Sequence, residues 1–124
     1  EGVAFGIKDS FTLIQGAGLG SIDQVRISGG GARSPLWRQI MADVLGVELV
    51  TVNTTEGAAF GAALCAAVGA GLYASLPEAC QAAIQVTGRT QPSSQAAIYA
   101  EHYPIYRSLY PSLSGAFAAL GALA

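Results

Sequence analysis

Charged residues are scarce in this sequence. Only 11% of its 124 residues are Asp, Glu, Lys or Arg, and the net charge is −2. The Lys and Arg residues form no basic stripe, which is the usual electrostatic footprint of a nucleic-acid-binding domain. We therefore expect no nucleic-acid partner. Because 52% of the residues are apolar, we also expect a domain that buries surface against further protein.

Cysteine and histidine are also rare. Cys65 and Cys80 lie in separate apolar stretches without a CxxC motif, and His102 stands alone between Glu101 and Tyr103. Because this spacing does not suit a metal site, we expect no metal ligands in this chain and a surface position for His102. A disulfide is one interpretation of the cysteines, but two buried thiols in a cytoplasmic protein is the preferred one.

Long runs of large apolar side chains are absent. The longest uncharged segment, residues 57–76, has about the length of a membrane span. It is rich in glycine and alanine, which supply little transfer free energy and let a helix lie close to its neighbours. We therefore expect a buried helix of a globular domain and no membrane association.

Two familiar phosphate-binding motifs are missing. The sequence has no GxxxxGK[ST] loop, and residues 16–20, GAGLG, follow a predicted helix rather than a strand. Three glycines at 29–31 instead lie between a predicted strand and a predicted helix. Glycine permits positive φ and close approach of a ligand, and the N–H groups of the following helix favour anions. From the residues alone, a nucleotide loop and a plain tight turn are equally good interpretations.

Periodicity and turn residues predict the element order α-β-loop-α-β-α-α-α. The predicted elements are helices at 1–15, 35–45, from 56, 76–84 and 98–113, and strands at 25–28 and 47–52. The last helix is predicted to be interrupted near Pro104 and Pro111, and residues 88–94 to form a polar linker. Alternation of strands and helices predicts an α/β fold with a parallel sheet. Because two strands are barely stable alone, and because the chain begins at Glu1, we expect a piece of a longer protein.

Four segments together resemble the FGGY family of carbohydrate kinases. Residues 27–43, ISGGGARSPLWRQIMAD, are similar to the adenosine-binding signature of that family. Residues 1–6 and 56–63 resemble the helices on either side of that signature, and residues 106–113 resemble the tail of its xylulokinases. The resemblance covers nearly the whole chain, and the four segments occur in the expected order.

The resemblance implies a fold and an activity. Residues 1–124 would be part of the C-terminal, ribonuclease-H-like (actin-like ATPase) domain, without the N-terminal sugar-binding domain. ATP, with Mg²⁺, would donate its γ-phosphate to a sugar hydroxyl, preferably that of the pentulose D-xylulose, with ribulose, gluconate and glycerol as alternatives. The catalytic Asp would lie upstream of Glu1, so we expect this chain alone to be inactive. A homodimer would fit the family.

The resemblance also implies site residues. Gly30 and Gly31 would bring the backbone close to the ribose and phosphates of the nucleotide, and Ser34 would contact the nucleotide. Gly29 would shape the turn. Arg33 is a candidate contact for a phosphate or the adenine, with a solvated loop arginine as the alternative.

Two further signature residues, Gln39 and Asp43, share one helix face at i and i+4. Gln39 is a candidate nucleotide-binding residue, and the alternative is that Gln39 and Asp43 only support the loop. Asp9, Asp23 and Asp43 have no second acid, His or Lys nearby in sequence, so each is interpreted as a surface or capping residue.

The aromatic residues predict packing surfaces. Trp37 and Phe60 are expected in the core, with a position near the adenine as an alternative for Trp37. The tyrosines at 99, 103, 106 and 110 recur at helical spacing, which favours a packing stripe. A subunit contact is the alternative for that stripe.

Two rival functions remain at this point. One is a folded fragment that binds nothing without the rest of its protein. The other is a dinucleotide-binding βαβ unit, which calls for an acidic residue after the second strand. That strand is followed here by Asn53 and Thr54, which argues against it.

Overall fold

A computed structural model describes residues 1–123, which form a mixed α/β fold. Helix α1 (Gly2–Ile14) continues into a short π-helical segment, Gln15–Leu19, in which Gly18 has a φ of 100°. The remaining elements are β1 (Gln24–Arg26), a 3-10 turn (Gly30–Arg33), α2 (Pro35–Leu45), β2 (Glu48–Val52), α3 (Gly57–Gly69), α4 (Leu76–Ala83), β3 (Val86–Thr90) and α5 (Ala96–Gly121).

The sheet has three strands in the order β1-β2-β3. Strands β1 and β2 are parallel, with Val25 opposite Leu49, as the alternation of strands and helices predicted. Strand β3 pairs antiparallel to β2, and the sequence analysis missed it. Residues 88–90 of this strand had been assigned to the predicted polar linker. Its residues are mostly exposed and carry no apolar alternation. Gly88 fits there because a Cβ atom would lie 2.8 Å from the Thr51 hydroxyl of β2.

Helix α2 has a defined start and end. The Ser34 hydroxyl accepts a hydrogen bond from the Trp37 N–H at 3.3 Å, and Pro35 follows at the first helical position. Gly46 ends the helix in the left-handed region, at a φ of 75°, and its N–H donates to the Ala42 carbonyl at 2.8 Å. The sequence predicted all three features.

The core lies where α2 meets α1, β2 and α5. Phe5 of α1 packs in a cluster with Met41, Val44 and Leu45 of α2 and Leu49 of β2. On its other side, three tyrosines of α5 surround the Phe5 ring, with centroid distances of 6.1 Å to Tyr99, 5.9 Å to Tyr103 and 5.2 Å to Tyr106. The prediction that the tyrosine stripe is a packing surface is thus confirmed for these three tyrosines. Trp37 is half-buried and packs against the same core.

Helix α5 is continuous through Pro104 and Pro111, so the predicted interruption was wrong. A proline inside a helix removes one backbone hydrogen bond and costs about 3 kcal/mol. Tyr103 and Tyr106, on either side of Pro104, pack on Phe5. This packing holds the helix through the first proline.

Helix α3 is less buried than predicted. Leu64 is its one buried residue, Phe60 is half-buried, and the helix packs on α4. Cys65 is exposed and Cys80 half-buried, and both thiols are free, so the prediction of two buried cysteines was also wrong. The small side chains of α3 permit close packing. However, α4 covers only one side of α3, and the other sides are exposed. Within residues 1–123, no helix combines the length and the hydropathy needed to cross a bilayer.

Candidate functional site

A small cavity lies at the carboxyl ends of β1 and β2. Its volume is about 170 Å³. Because β1 and β2 are parallel, both strands end at this edge of the sheet. The crevice beyond the carboxyl ends of parallel strands is the usual ligand site of α/β folds. The lining residues come from the ends of the two strands and from the glycine loop with α2, and they are Ile27, Ser28, Gly29, Ala32, Arg33, Arg38, Thr51, Val52, Thr54 and Thr55.

The glycine loop leaves β1 through Gly29. This residue has a φ of 85°, in the region that favours glycine, whereas Gly30 and Gly31 have negative φ. The Ala32 N–H then donates to the Gly29 carbonyl at 3.2 Å, and the Ser34 N–H donates to the Gly31 carbonyl at 3.1 Å. Gly29 therefore makes the turn, and the next four residues form one 3-10 turn before α2.

The other two glycines differ in their surroundings. A Cβ atom on Gly30 would meet no atom within 4 Å, whereas one on Gly31 would lie 3.1 Å from the Trp37 ring. Gly30 therefore has open space on its outer side, and Gly31 must be small because of Trp37. Neither residue is among those that line the cavity, so their contact with a nucleotide stays a prediction.

Ser34 ends the loop and begins α2. Its hydroxyl oxygen caps the helix by accepting from Trp37, and it retains an O–H that can donate to a ligand. Ser34 is also not among the lining residues. Its contact with a nucleotide therefore stays a prediction too.

Two arginines line the cavity. Arg33 is exposed at the end of the 3-10 turn. Arg38 is half-buried in α2, and its Nη1 atom donates to the Ala32 carbonyl at 2.5 Å. The sequence analysis did not single out Arg38, although its position four residues after the helix cap places it on the face of α2 that carries Ser34. None of the lining residues named above is a carboxylate, so the cavity suits an anion.

A second helix begins beside the cavity. A Cβ atom on Gly57, the first residue of α3, would lie 3.4 Å from the Ser28 hydroxyl. The Thr54 hydroxyl, which lines the cavity, accepts from the Glu56 N–H at 3.2 Å. The N-termini of α2 and α3 thus both lie at this edge, where their N–H groups and dipoles favour a negative ligand.

Gln39 and Asp43 do not line the cavity. The Gln39 amide donates to Asp43 Oδ1 at 3.1 Å and to the Gln91 carbonyl at 3.0 Å. Asp43 also accepts from the Ser93 N–H at 2.5 Å and from the Ser93 hydroxyl at 3.1 Å.

Asp43 is 4% exposed, so its interpretation as a surface or capping residue was wrong. The i, i+4 pair forms as predicted, but it holds the segment between β3 and α5 instead of the glycine loop. No sequence pattern indicated that this segment packs on α2. His102, by contrast, is exposed as predicted.

The cavity does not fit a magnesium ion on its own. Mg²⁺ prefers carboxylate and other oxygen ligands in octahedral geometry, and the lining residues include no acid. Across residues 1–123, no group of three or more His, Cys, Asp or Glu side chains could hold a metal ion.

Comparison with known proteins identifies the family of this chain. Residues 1–70 match the C-terminal domain of the FGGY family of carbohydrate kinases. The xylulose kinase of Staphylococcus epidermidis is 30% identical over 111 residues, which are 89% of this chain and 22% of that protein. The xylulose kinase of Haemophilus influenzae is 41% identical over 61 residues, or 49% of this chain and 12% of that protein.

The fold is also found among solved structures. The gluconate kinase of Lactobacillus acidophilus superposes with a TM-score of 0.83 at 23% identity, over 95% of this chain and 24% of that one. The structural match shows the fold, and the sequence match defines the class of the chain as the C-terminal domain of a carbohydrate-kinase family. The chain belongs to the FGGY family, and it spans less than a quarter of the length of these relatives.

Proposed function

We propose that this chain is part of the C-terminal, ATP-binding domain of a kinase that transfers the γ-phosphate of ATP to a sugar hydroxyl. The observation that carries the proposal is the cavity at the ends of β1 and β2. It is lined by a glycine turn and two arginines and by no acidic residue, and helices α2 and α3 begin a few residues after the lining residues Arg33 and Thr55. Membership of a carbohydrate-kinase family supports ATP as the anionic ligand.

The cavity is suited to binding the phosphates of ATP, which is one part of the phosphoryl-transfer reaction. Phosphoryl transfer depends on positioning of the phosphates and on neutralising their charge, and arginines and backbone N–H groups do both. The volume of about 170 Å³ is below the roughly 300–1,000 Å³ of ordinary ligand pockets. We therefore propose that the second wall, the sugar site and the catalytic Asp belong to parts of the protein outside residues 1–124. Mg²⁺ would accompany the nucleotide.

D-Xylulose is the proposed acceptor, with D-xylulose 5-phosphate as the product. The two curated relatives above are xylulose kinases, and one of them aligns over 89% of this chain. Assays of the full-length kinase with xylulose, ribulose, gluconate and glycerol test this choice. Xylulose should give the highest kcat/KM, and a higher value for another acceptor would overturn the assignment.

Gly30 offers the sharpest test of the nucleotide site. Gly30→Val places a branched side chain in open space with no backbone strain, so it can obstruct a ligand without disturbing the fold. In the full-length kinase we expect KM for ATP to rise about tenfold, the equivalent of about 1.4 kcal/mol. KM for the sugar should change little, because the sugar site is proposed to lie outside residues 1–124.

Gly115→Val is the matched control, because Gly115 also has open space and negative φ but lies in α5, away from the cavity. Steady-state kinetics with both substrates varied give the answer. If a folded Gly30→Val enzyme keeps wild-type ATP kinetics, the glycine loop is a structural turn and the predicted contact between Gly30 and the nucleotide is wrong.

A further inference from the structure

We infer that Arg38 is the main cationic contact for the phosphate part of the nucleotide, and that Arg33, the arginine in the glycine loop, contributes less. This inference rests on the proposed nucleotide function. It assigns a role to a residue that lines the cavity from α2.

Arg38 is held in place before any ligand binds. Its backbone N–H donates to the Ser34 carbonyl at 3.1 Å, and its guanidinium donates through Nη1 to the Ala32 carbonyl at 2.5 Å. The side chain is half-buried against the cavity. A guanidinium carries five N–H donors in a rigid fork, so one bond to Ala32 leaves donors for an anion. Because the side chain is already ordered, binding costs little further rotamer entropy.

The charge of Arg38 has no acidic partner among the described residues. The two ion pairs within residues 1–123 join Arg89 to Glu48 and Arg107 to Asp9, both outside the cavity. Arg38 also lies in the second turn of α2, close to the positive end of the helix dipole. A half-buried cation in this position is best neutralised by an anionic ligand.

Arg33 lines the same cavity but differs from Arg38 in solvent exposure and in anchoring. It is exposed, so water screens its charge, and ordering its side chain costs entropy that Arg38 does not lose. The two arginines therefore form an internal comparison, because they share a cavity and a charge but differ in burial and anchoring.

Arg38 also links the ligand to the loop. The guanidinium that would contact the phosphate is bonded to the 3-10 turn through Ala32. A lysine offers one compact ammonium group without the fork, so it could not hold Ala32 and a phosphate in the same geometry. Arg38→Lys should therefore lose part of the affinity even though it keeps the charge.

The test measures ADP and adenosine affinity of the full-length kinase by titration calorimetry. Arg38→Ala should weaken ADP binding about tenfold or more, because a charge-assisted hydrogen bond is lost, and should change adenosine binding less than about twofold. Arg33→Ala should weaken ADP binding by a smaller factor than Arg38→Ala. Arg26→Ala, which removes an exposed charge outside the cavity, should leave both affinities unchanged.

A second variant separates charge from loop support. Arg38→Gln removes the charge but keeps an amide that can donate to the Ala32 carbonyl, so it should fold and still bind ADP poorly. Equal losses of ADP and adenosine affinity would show that Arg38 acts through the turn alone, and would overturn the inference. An equal or larger effect of Arg33→Ala would do the same. If Gly30→Val weakens ATP binding and the Arg38 variants do not, the inference fails and the proposed function stands.

Discussion

At the scale of single residues, the three glycines of the loop have three different tasks. Gly29 turns the backbone at a φ of 85°, Gly30 faces open space, and Gly31 accommodates the Trp37 ring. A run of identical residues in the sequence therefore conceals one backbone requirement, one position open to a ligand and one packing requirement.

The difference between Gly29 and Gly30 can be measured as stability. Gly29→Ala forces a side chain into a backbone conformation, φ 85° and ψ −173°, that is essentially restricted to glycine, and should cost about 1–3 kcal/mol. Gly30→Ala, with negative φ and no neighbour within 4 Å, should be close to neutral. Thermal melting of the two full-length variants checks this, and equal melting temperatures would contradict the assignment of the turn to Gly29.

At the scale of elements, one carboxylate joins the three strands. Glu48 of β2 accepts hydrogen bonds from the amide of Gln24 in β1 and from Arg89 Nη1 of β3, the latter at 2.8 Å. Its other oxygen accepts from the amide of Gln91 at 2.6 Å. The pKa of the Glu48 carboxyl is held below its usual value, mainly by the hydrogen bond from Gln24. The hydrogen bond and the charge of Arg89 lower the pKa further, by smaller amounts.

This lowered pKa predicts a pH dependence of stability. A carboxyl whose pKa is depressed by folding stabilises the fold above its unfolded pKa, which is about 4.3 for Glu. That contribution disappears as the pH falls through the lower, folded value. Glu48→Gln should therefore melt at a lower temperature than wild type at pH 7, and the gap should close on acidification. Melting curves of both proteins at several pH values test this prediction. A difference in melting temperature that widens in acid would contradict the lowered pKa of Glu48.

Helix α2 connects this sheet to the rest of the chain. The Gln39–Asp43 pair binds the segment before α5, and the tyrosines of α5 pack on Phe5 of α1. The helix that follows the glycine loop is thus held along its length by a buried carboxylate and by an aromatic cluster.

At the scale of the whole molecule, much apolar surface is left uncovered. From residue 105 onward, α5 exposes large side chains, namely Ile105, Leu109, Tyr110, Leu113, Phe117 and Leu120, at 44% to 72% of their area. Val3 and Leu13 of α1 are exposed at 70% and 74%. Apolar patches of this extent on a soluble protein usually mark surfaces that another part of the protein or a partner covers.

We predict that the isolated chain self-associates and shows no xylulose-dependent ATP consumption. Leu109→Lys together with Phe117→Lys should reduce the association, because charge on an apolar face opposes burial. Ser112→Lys on the same helix is the control, because it adds charge without removing an apolar side chain. Sedimentation velocity and a coupled kinase assay provide the measurements. A monomer with a sharp cooperative melt, or turnover above background, would contradict the prediction.

The sequence was enough to predict the ends of α2, the position of the glycine loop and the family. Ser34, Pro35 and Gly46 set the ends of α2 by short-range rules of capping and backbone conformation, and the glycine loop followed from its position between strand and helix. The four family-like segments were recognisable because they are contiguous in sequence. These features depend on residues a few positions apart, so the sequence displays them directly.

Other features depend on contacts between residues that are far apart in the sequence. Strand β3 forms because β2 offers it an edge, and α5 passes through Pro104 because its tyrosines have Phe5 to pack on. Asp43 is buried because Ser93, fifty positions along the chain, folds onto it. Arg38 lines the cavity because the Ala32 carbonyl holds its guanidinium there. Each of these outcomes is set by which segments meet in space, and local periodicity and propensity carry no information about that.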